Sequence, residues 1–148
     1  MELFSNQLVI KAELSWLDEV LSFVEDGLSQ TGCPPKLRTQ IVVSVEEIFV
    51  NIANYAYKEQ TGDCRLKLCV CGEGCKRTMK LVVSDDGQPF DPLAKQDPDI
   101  TLSADQREIG GLGIWMVKQT MDEVTYQYVN QKNELTLIKI WDLSEELK

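Results

Sequence analysis

Glu47 and Asn51 stand four residues apart in a run, Val45 to Tyr57, that is otherwise mostly apolar. At about 100° per residue, Ser44, Glu47, Asn51, Asn54 and Lys58 share one narrow stripe of a helix, while Ile41, Val45, Ile48, Ile52 and Ala56 form a broad apolar face. The apolar face has to be buried, so the stripe opens either to solvent or into a cleft. In a cleft, a carboxylate one helical turn from a carboxamide suits a general base beside an oxygen that binds a metal ion. Taken alone, the stripe is explained more simply as the solvated side of an amphipathic helix.

Two further stretches carry residues suited to a ligand. Asp85-Asp86-Gly87-Gln88-Pro89-Phe90-Asp91-Pro92 follows an apolar run and is too polar, and too rich in Gly and Pro, to continue a strand. Gly110-Gly111-Leu112-Gly113 leads into the apolar segment Ile114 to Val117. Glycines let backbone N–H groups approach an anion, and a helix start adds partial positive charge. A lone Gly-x-Gly is weak evidence, because a packing turn explains it as well. Between these stretches, Leu93 to Ile109 is polar and without core-forming periodicity, and reads as a long loop of the kind that often serves as a lid or binding segment.

The elements that must position these residues follow from periodicity. Leu8 to Ala12 reads as a strand, Ser15 to Leu28 as a helix capped by Ser15 with Trp16, Val20, Leu21, Val24 and Leu28 inward, and Pro35 to Lys58 as a second helix opened by its proline. Arg65 to Val70 and Thr78 to Ser84 read as a hairpin about Gly72-Glu73-Gly74. A helix from the Gly110–Gly113 stretch to Met121-Asp122 follows, then strands Val124 to Val129 and Leu135 to Ile140 about a turn at Asn130-Gln131-Lys132-Asn133. The order β-α-α-β-β-loop-α-β-β, without repeats or linkers, predicts one domain over residues 1–148. It is expected to be an α+β two-layer sandwich, helices on one face of a mostly antiparallel sheet.

Composition excludes several classes. A chain of 148 residues can bury a core without staples, and 43% hydrophobic with 26% charged residues is ordinary for a globular protein. No apolar run approaches the roughly 20 residues that span a bilayer, and the N-terminus lacks a secretory signal, so a cytoplasmic protein without a membrane partner is expected. A net charge of −9 opposes direct nucleic-acid binding. There is no histidine, which removes Ser-His and Cys-His catalysis. The cysteines at 64, 69, 71 and 75 lack paired C-x2-C knuckles and read as reduced structural thiols rather than a zinc site or disulfide framework.

In order and spacing, the three stretches resemble the nucleotide-binding boxes of the Bergerat-type ATPase superfamily, which includes gyrase, MutL and the histidine kinases. Glu47-x-x-x-Asn51 looks like the first box, Asp85-x-Gly87 like the second and Gly111-x-Gly113 like the third. Three weak motifs in the right order support one another. Within the superfamily, the size and the versions of the second and third boxes are most similar to the stand-alone anti-sigma factor serine kinases. Pro89 stands where the superfamily often has a second glycine, and Tyr55-Ala56-Tyr57 replaces a His-Gly-Tyr-like segment of some relatives.

The resemblance implies ATP and Mg²⁺ as ligands and assigns roles. Asn51 would bind Mg²⁺, Glu47 would be the general base, and Asp85 would accept from the adenine amino group with Gly87 leaving room for the base. Gly110, Gly111 and Gly113 would hold phosphates, Arg107 would close over them, and Thr136 would support Asp85. The expected activity is phosphorylation of a serine or threonine on an anti-sigma factor antagonist of STAS type, with sequestration of a sigma factor. A homodimer is left open. The alternatives are a non-catalytic ATP-dependent binding module and an ATP-hydrolysing switch. Asn51 serves all three readings, whereas Glu47 serves only those with chemistry.

Overall fold

The computed structural model describes residues 1–57, 61–94 and 111–144. Its elements are strand β1 (Glu2–Lys11), helices α1 (Leu17–Gln30) and α2 (Pro35–Tyr55), strands β2 (Asp63–Glu73) and β3 (Lys76–Asp85), helix α3 (Gly111–Thr120), and strands β4 (Glu123–Val129) and β5 (Lys132–Asp142). The strands form one sheet in the order β1-β2-β3-β5-β4, and every neighbouring pair is antiparallel. The expected α+β class is borne out.

Alternation along the strands decides which face the helices cover. In β2, Cys64, Leu66, Leu68 and Val70 are buried, and in β3 so are Met79, Leu81, Val83 and Asp85. On β5, Asn133, Leu135 and Leu137 continue that inner face. The inner face packs against Val20, Val24 and Leu28 of α1, Ile41, Val45, Ile48 and Phe49 of α2, and Val117 of α3. The period-2 strands and period-3.6 helices thus share one core.

Several boundaries differ from the sequence reading. β1 begins at Glu2, not Leu8, because it lies at the sheet edge, where only alternate residues such as Phe4, Leu8 and Ile10 need to be apolar, and β2 supplies ladder partners as far as Cys71. Ser15 does not cap α1. It lies in a 3-10 turn, Leu14–Trp16, whose Trp16 is 42% exposed rather than turned into the core, and the helix opens with Asp18 and Glu19 at its positive end instead. α2 ends at Tyr55, short of Lys58, which lies outside the described residues. The carbonyl of Ala56 leaves the helix to accept the Gln88 N–H, at 3.1 Å. The β4–β5 turn is confined to Asn130 and Gln131, both at positive φ as a two-residue primed turn requires, so Asn133 belongs to β5.

Candidate functional site

The C-terminal end of β3 supplies the first half of the site. The alternation that buries Val83 also turns Asp85 inward, where it is only 4% exposed. Among the described residues, both hydrogen bonds it accepts land on Oδ1, from the Gly87 N–H at 2.8 Å and from Asn133 Nδ2 at 3.0 Å. That leaves Oδ2 as the acceptor to offer a ligand. Burial pushes the Asp85 carboxyl above its ordinary range, while the bonds from Asn133 and Gly87 pull it back. Its cross-strand neighbour Cys64 is pushed up to about 12, by burial first and by the Asp85 charge second, so that thiol stays neutral.

The turn after Asp85 is clamped to the end of α2. A Cβ at Gly87 would collide with the carbonyl group of Ala56, so only glycine permits this approach. Gln88 donates through its backbone to Ala56 and through Nε2 to the Tyr55 carbonyl at 3.1 Å. Tyr57 donates to the Asp63 carbonyl at 2.6 Å and accepts from the Asp86 N–H at 2.7 Å. Beside this clamp lies a cleft walled by Ile48, Ile52, Phe90 and Tyr126, with Asp85 and Asn51 among its polar points. An apolar slot with a single buried carboxylate at its edge suits a flat heterocycle that carries an amino group.

The second half of the site is carried by α2 and α3. Glu47 and Asn51, one turn apart and partly buried, are joined by a hydrogen bond from Asn51 Nδ2 to Glu47 Oε1 at 3.3 Å. Because the amide nitrogen is the donor, Oδ1 remains to ligate a hard cation. Gly113 packs directly on the Glu47 side chain, and a Cβ there would overlap the carboxylate. Glu47 and Gly113 share a second cleft, between α2 and α3, with Ser44, Val50 and Met116. Asn51 lines the first cavity and Glu47 the second, so their hydrogen bond joins the two. α3 starts at Gly111 with no acidic residue in its first turn, which keeps its positive end available to an anion.

Of the residues singled out in the sequence, the structure brings together Glu47, Asn51 and Gly113, and separately Asp85 with Gly87. The rest of the polar stripe divides. Ser44 is buried and bonds the Gln40 carbonyl at 3.0 Å, and Asn54 is exposed. Thr136 is not a support for Asp85: it pairs with Val82, on the sheet face opposite that of Val83 and Asp85. Arg107 and Gly110 lie outside the described residues. Asn133, directly opposite Asp85 in the β3–β5 ladder, is the partner that sequence reasoning missed. A signal was present, since Asn133, Leu135 and Leu137 alternate, but assigning Asn133 to a turn hid it.

A model of the histidine kinase-like ATPase domain matches residues 10–139. The chain belongs to this family. The matched span runs from β1 into β5 and contains all three boxes, so the resemblance drawn from them is borne out. Among relatives of this ATPase-family chain, the serine-protein kinase RsbW of Bacillus licheniformis is 32% identical over 92 residues, 57% of this chain and 54% of that protein. RsbW of Bacillus subtilis (strain 168) is also 32% identical over 92 residues, with the same coverage. The serine/threonine-protein kinase BtrW of Bordetella bronchiseptica is 26% identical over 102 residues, 69% of this chain and 70% of that one. The chain thus spans about half the length of the RsbW proteins it matches. The family implies ATP as the bound nucleotide, and the slot beside Asp85 fits its base. No helix among the described residues is long and apolar enough to cross a membrane.

Proposed function

We propose that this chain is an ATP-dependent protein serine/threonine kinase of the anti-sigma type, with residues 1–148 acting as a single domain. The observation that carries the reading is the packing of Gly113 on Glu47, with Asn51 hydrogen-bonded to the same carboxylate. A base, a metal ligand and a helix start are then within reach of one transferring phosphoryl group. The kinase names of the relatives support the same class.

At the base end, Asp85 Oδ2 accepts from the 6-amino group, and Gly87 keeps the wall free of a side chain. Asn51 Oδ1 is the protein ligand for Mg²⁺, which neutralises phosphate charge when bound. The backbone N–H groups of Gly111 and Gly113, at the start of α3, would hold phosphate oxygens. Gly110, Arg107 and the rest of the Leu93–Ile109 stretch, which beyond Ala94 lies outside the described residues, would serve as phosphate contacts and lid, as the family resemblance implies. Glu47 takes the proton of an incoming serine or threonine hydroxyl as that oxygen attacks the γ-phosphorus, and the γ-phosphoryl bond to ADP breaks.

The acceptor is an anti-sigma factor antagonist, and the second partner is a sigma factor, both in the cytoplasm. Incubating the chain with Mg²⁺, γ-labelled ATP and the antagonist encoded nearest to it tests the reading. Label on an antagonist serine or threonine is expected. Nucleotide binding with no label transfer would leave a non-catalytic ATP-gated module, and phosphate released to water alone would leave an ATP-hydrolysing switch.

A further inference from the structure

Asn133 is 93% buried where the base pocket, the turn after β3 and the strand β4 meet. Oδ1 accepts from the Phe90 N–H at 3.1 Å and from the Tyr126 hydroxyl. Nδ2 donates to Asp85 Oδ1 at 3.0 Å, to the Gln88 carbonyl at 2.9 Å and, more weakly, to the Gly87 carbonyl at 3.4 Å. The orientation of the amide is not arbitrary. A backbone N–H can only donate, so the atom facing Phe90 is the oxygen, and the nitrogen is left facing three acceptors. The flipped amide would set oxygen against a carboxylate and two carbonyls.

Resting on the nucleotide reading above, we infer that Asn133 is the positioning residue that holds Asp85 as a hydrogen-bond acceptor toward the base, and so sets the preference for a 6-amino over a 6-oxo purine nucleotide. The physical reason is the chemistry of the two bases. A 6-amino purine offers a donor, which an ionised carboxylate accepts. A 6-oxo purine offers an acceptor, which only a protonated carboxyl, with its O–H, can satisfy. A donor fixed on Asp85 Oδ1 stabilises the ionised form and also prevents the carboxylate from rotating, so Oδ2 keeps facing the slot. The same side chain holds the backbone of Gly87 to Phe90, so the pocket wall and the base-reading oxygen are set by one group.

Other charges around Asp85 do not replace this bond. Asp86 raises its carboxyl and Arg65 lowers it, but these two pair with each other outside the pocket, through two bonds at 2.9 and 3.1 Å. Lys132 Nζ also lies 3.6 Å from Asp86. Cys64 is neutral, and the raised hydroxyls of Tyr57 and Tyr126 stay protonated at neutral pH.

The test is calorimetric binding of ATP and inosine triphosphate, with Mg²⁺, to the full chain and to Asn133→Asp, Asn133→Leu and Asp85→Asn across about pH 6 to 9. Asn133→Asp keeps the shape and both accepted bonds but replaces the donor with a second carboxylate, and Asn133→Leu removes the donor without adding charge. Both raise the Asp85 carboxyl. The ATP-over-inosine preference is therefore expected to fall at the acid end, by about tenfold for each pKa unit of that rise, and to recover as pH increases. The larger effect is expected for Asn133→Asp, and thermal melts identify the folded variants. Either folded variant with the wild-type ratio at every pH overturns the role of Asn133. Wild-type protein that fails to bind ATP, or Asp85→Asn with an unchanged preference, overturns the nucleotide reading beneath it.

Discussion

The two ends of the site are built differently. At the base end, Asp85 and Asn133 are almost fully buried and tied into a turn that is itself clamped to α2. At the other end, Glu47 and Asn51 are only partly buried and joined by one 3.3 Å bond. A carboxylate that must read one edge of a flat base gains from rigidity, because its energy depends on direction. Groups that must meet a cation, phosphates and an incoming hydroxyl need latitude to change partners. On the proposed roles, preorganisation is concentrated at the base-reading end, and the groups assigned to chemistry keep adjustable contacts.

This contrast can be tested from its largest expected effect downward. Glu47→Ala is expected to lower turnover by about 10²- to 10⁴-fold while ATP affinity stays near wild type, since a general base acts mainly in the transition state. Label transfer and calorimetry on the same preparation check the pair of results. Equal loss of affinity would move Glu47 from chemistry to binding. Asn51→Ala is expected to cost about 100-fold or more in Mg²⁺-dependent ATP affinity, with little effect in EDTA. A loss that is the same with and without metal would remove Asn51 from the cation.

At the base end the expected damage appears in folding as well as in binding. Gly87→Ala drives a methyl group into the Ala56 carbonyl, a backbone wall that cannot rotate away, and is expected to cost about 1–3 kcal/mol in a thermal or urea melt. Gly113→Ala meets the end of a side chain instead. It should be milder in the melt and more harmful to turnover, because it displaces the Glu47 carboxylate. The smallest effect is expected outside the pocket. Arg65 holds the Asp86 carboxyl below its ordinary range through a charged hydrogen bond. The stabilisation is present above the ordinary carboxylate pKa and is lost as pH falls through the lowered value. Asp86 is 47% exposed, so Arg65→Ala should cost less than about 1 kcal/mol at neutral pH, and the difference from wild type should vanish in acid melts.

Much of this molecule was legible in the chain. The three boxes, the element order and the apolar face of α2 rest on local periodicity, which survives without knowledge of neighbours. What was not legible required pairing. Ser15 looked like a cap because capping chemistry is local, but a 3-10 turn took its place. Thr136 was expected to support Asp85 from the family resemblance alone, yet strand parity sends its side chain to the other face. Asn133 looked like a turn residue because Asn favours turns, whereas the two-residue turn at Asn130 and Gln131 returns it to the ladder.

The sequence by itself determined the family and the residue types at each box, because their order and spacing along the chain carry the motif, whereas the structure extended β3 to Asp85 and so turned that side chain inward. Only the tertiary structure decided that Asn133 faces Asp85, that Ala56 walls Gly87 and that Gly113 rests on Glu47. Each of those contacts joins residues at least 30 positions apart in the chain. Their meeting depends on the register of β3 against β5 and on the packing of α2 against its neighbours. A one-residue slip in that register would send Asn133 to the other face of the sheet.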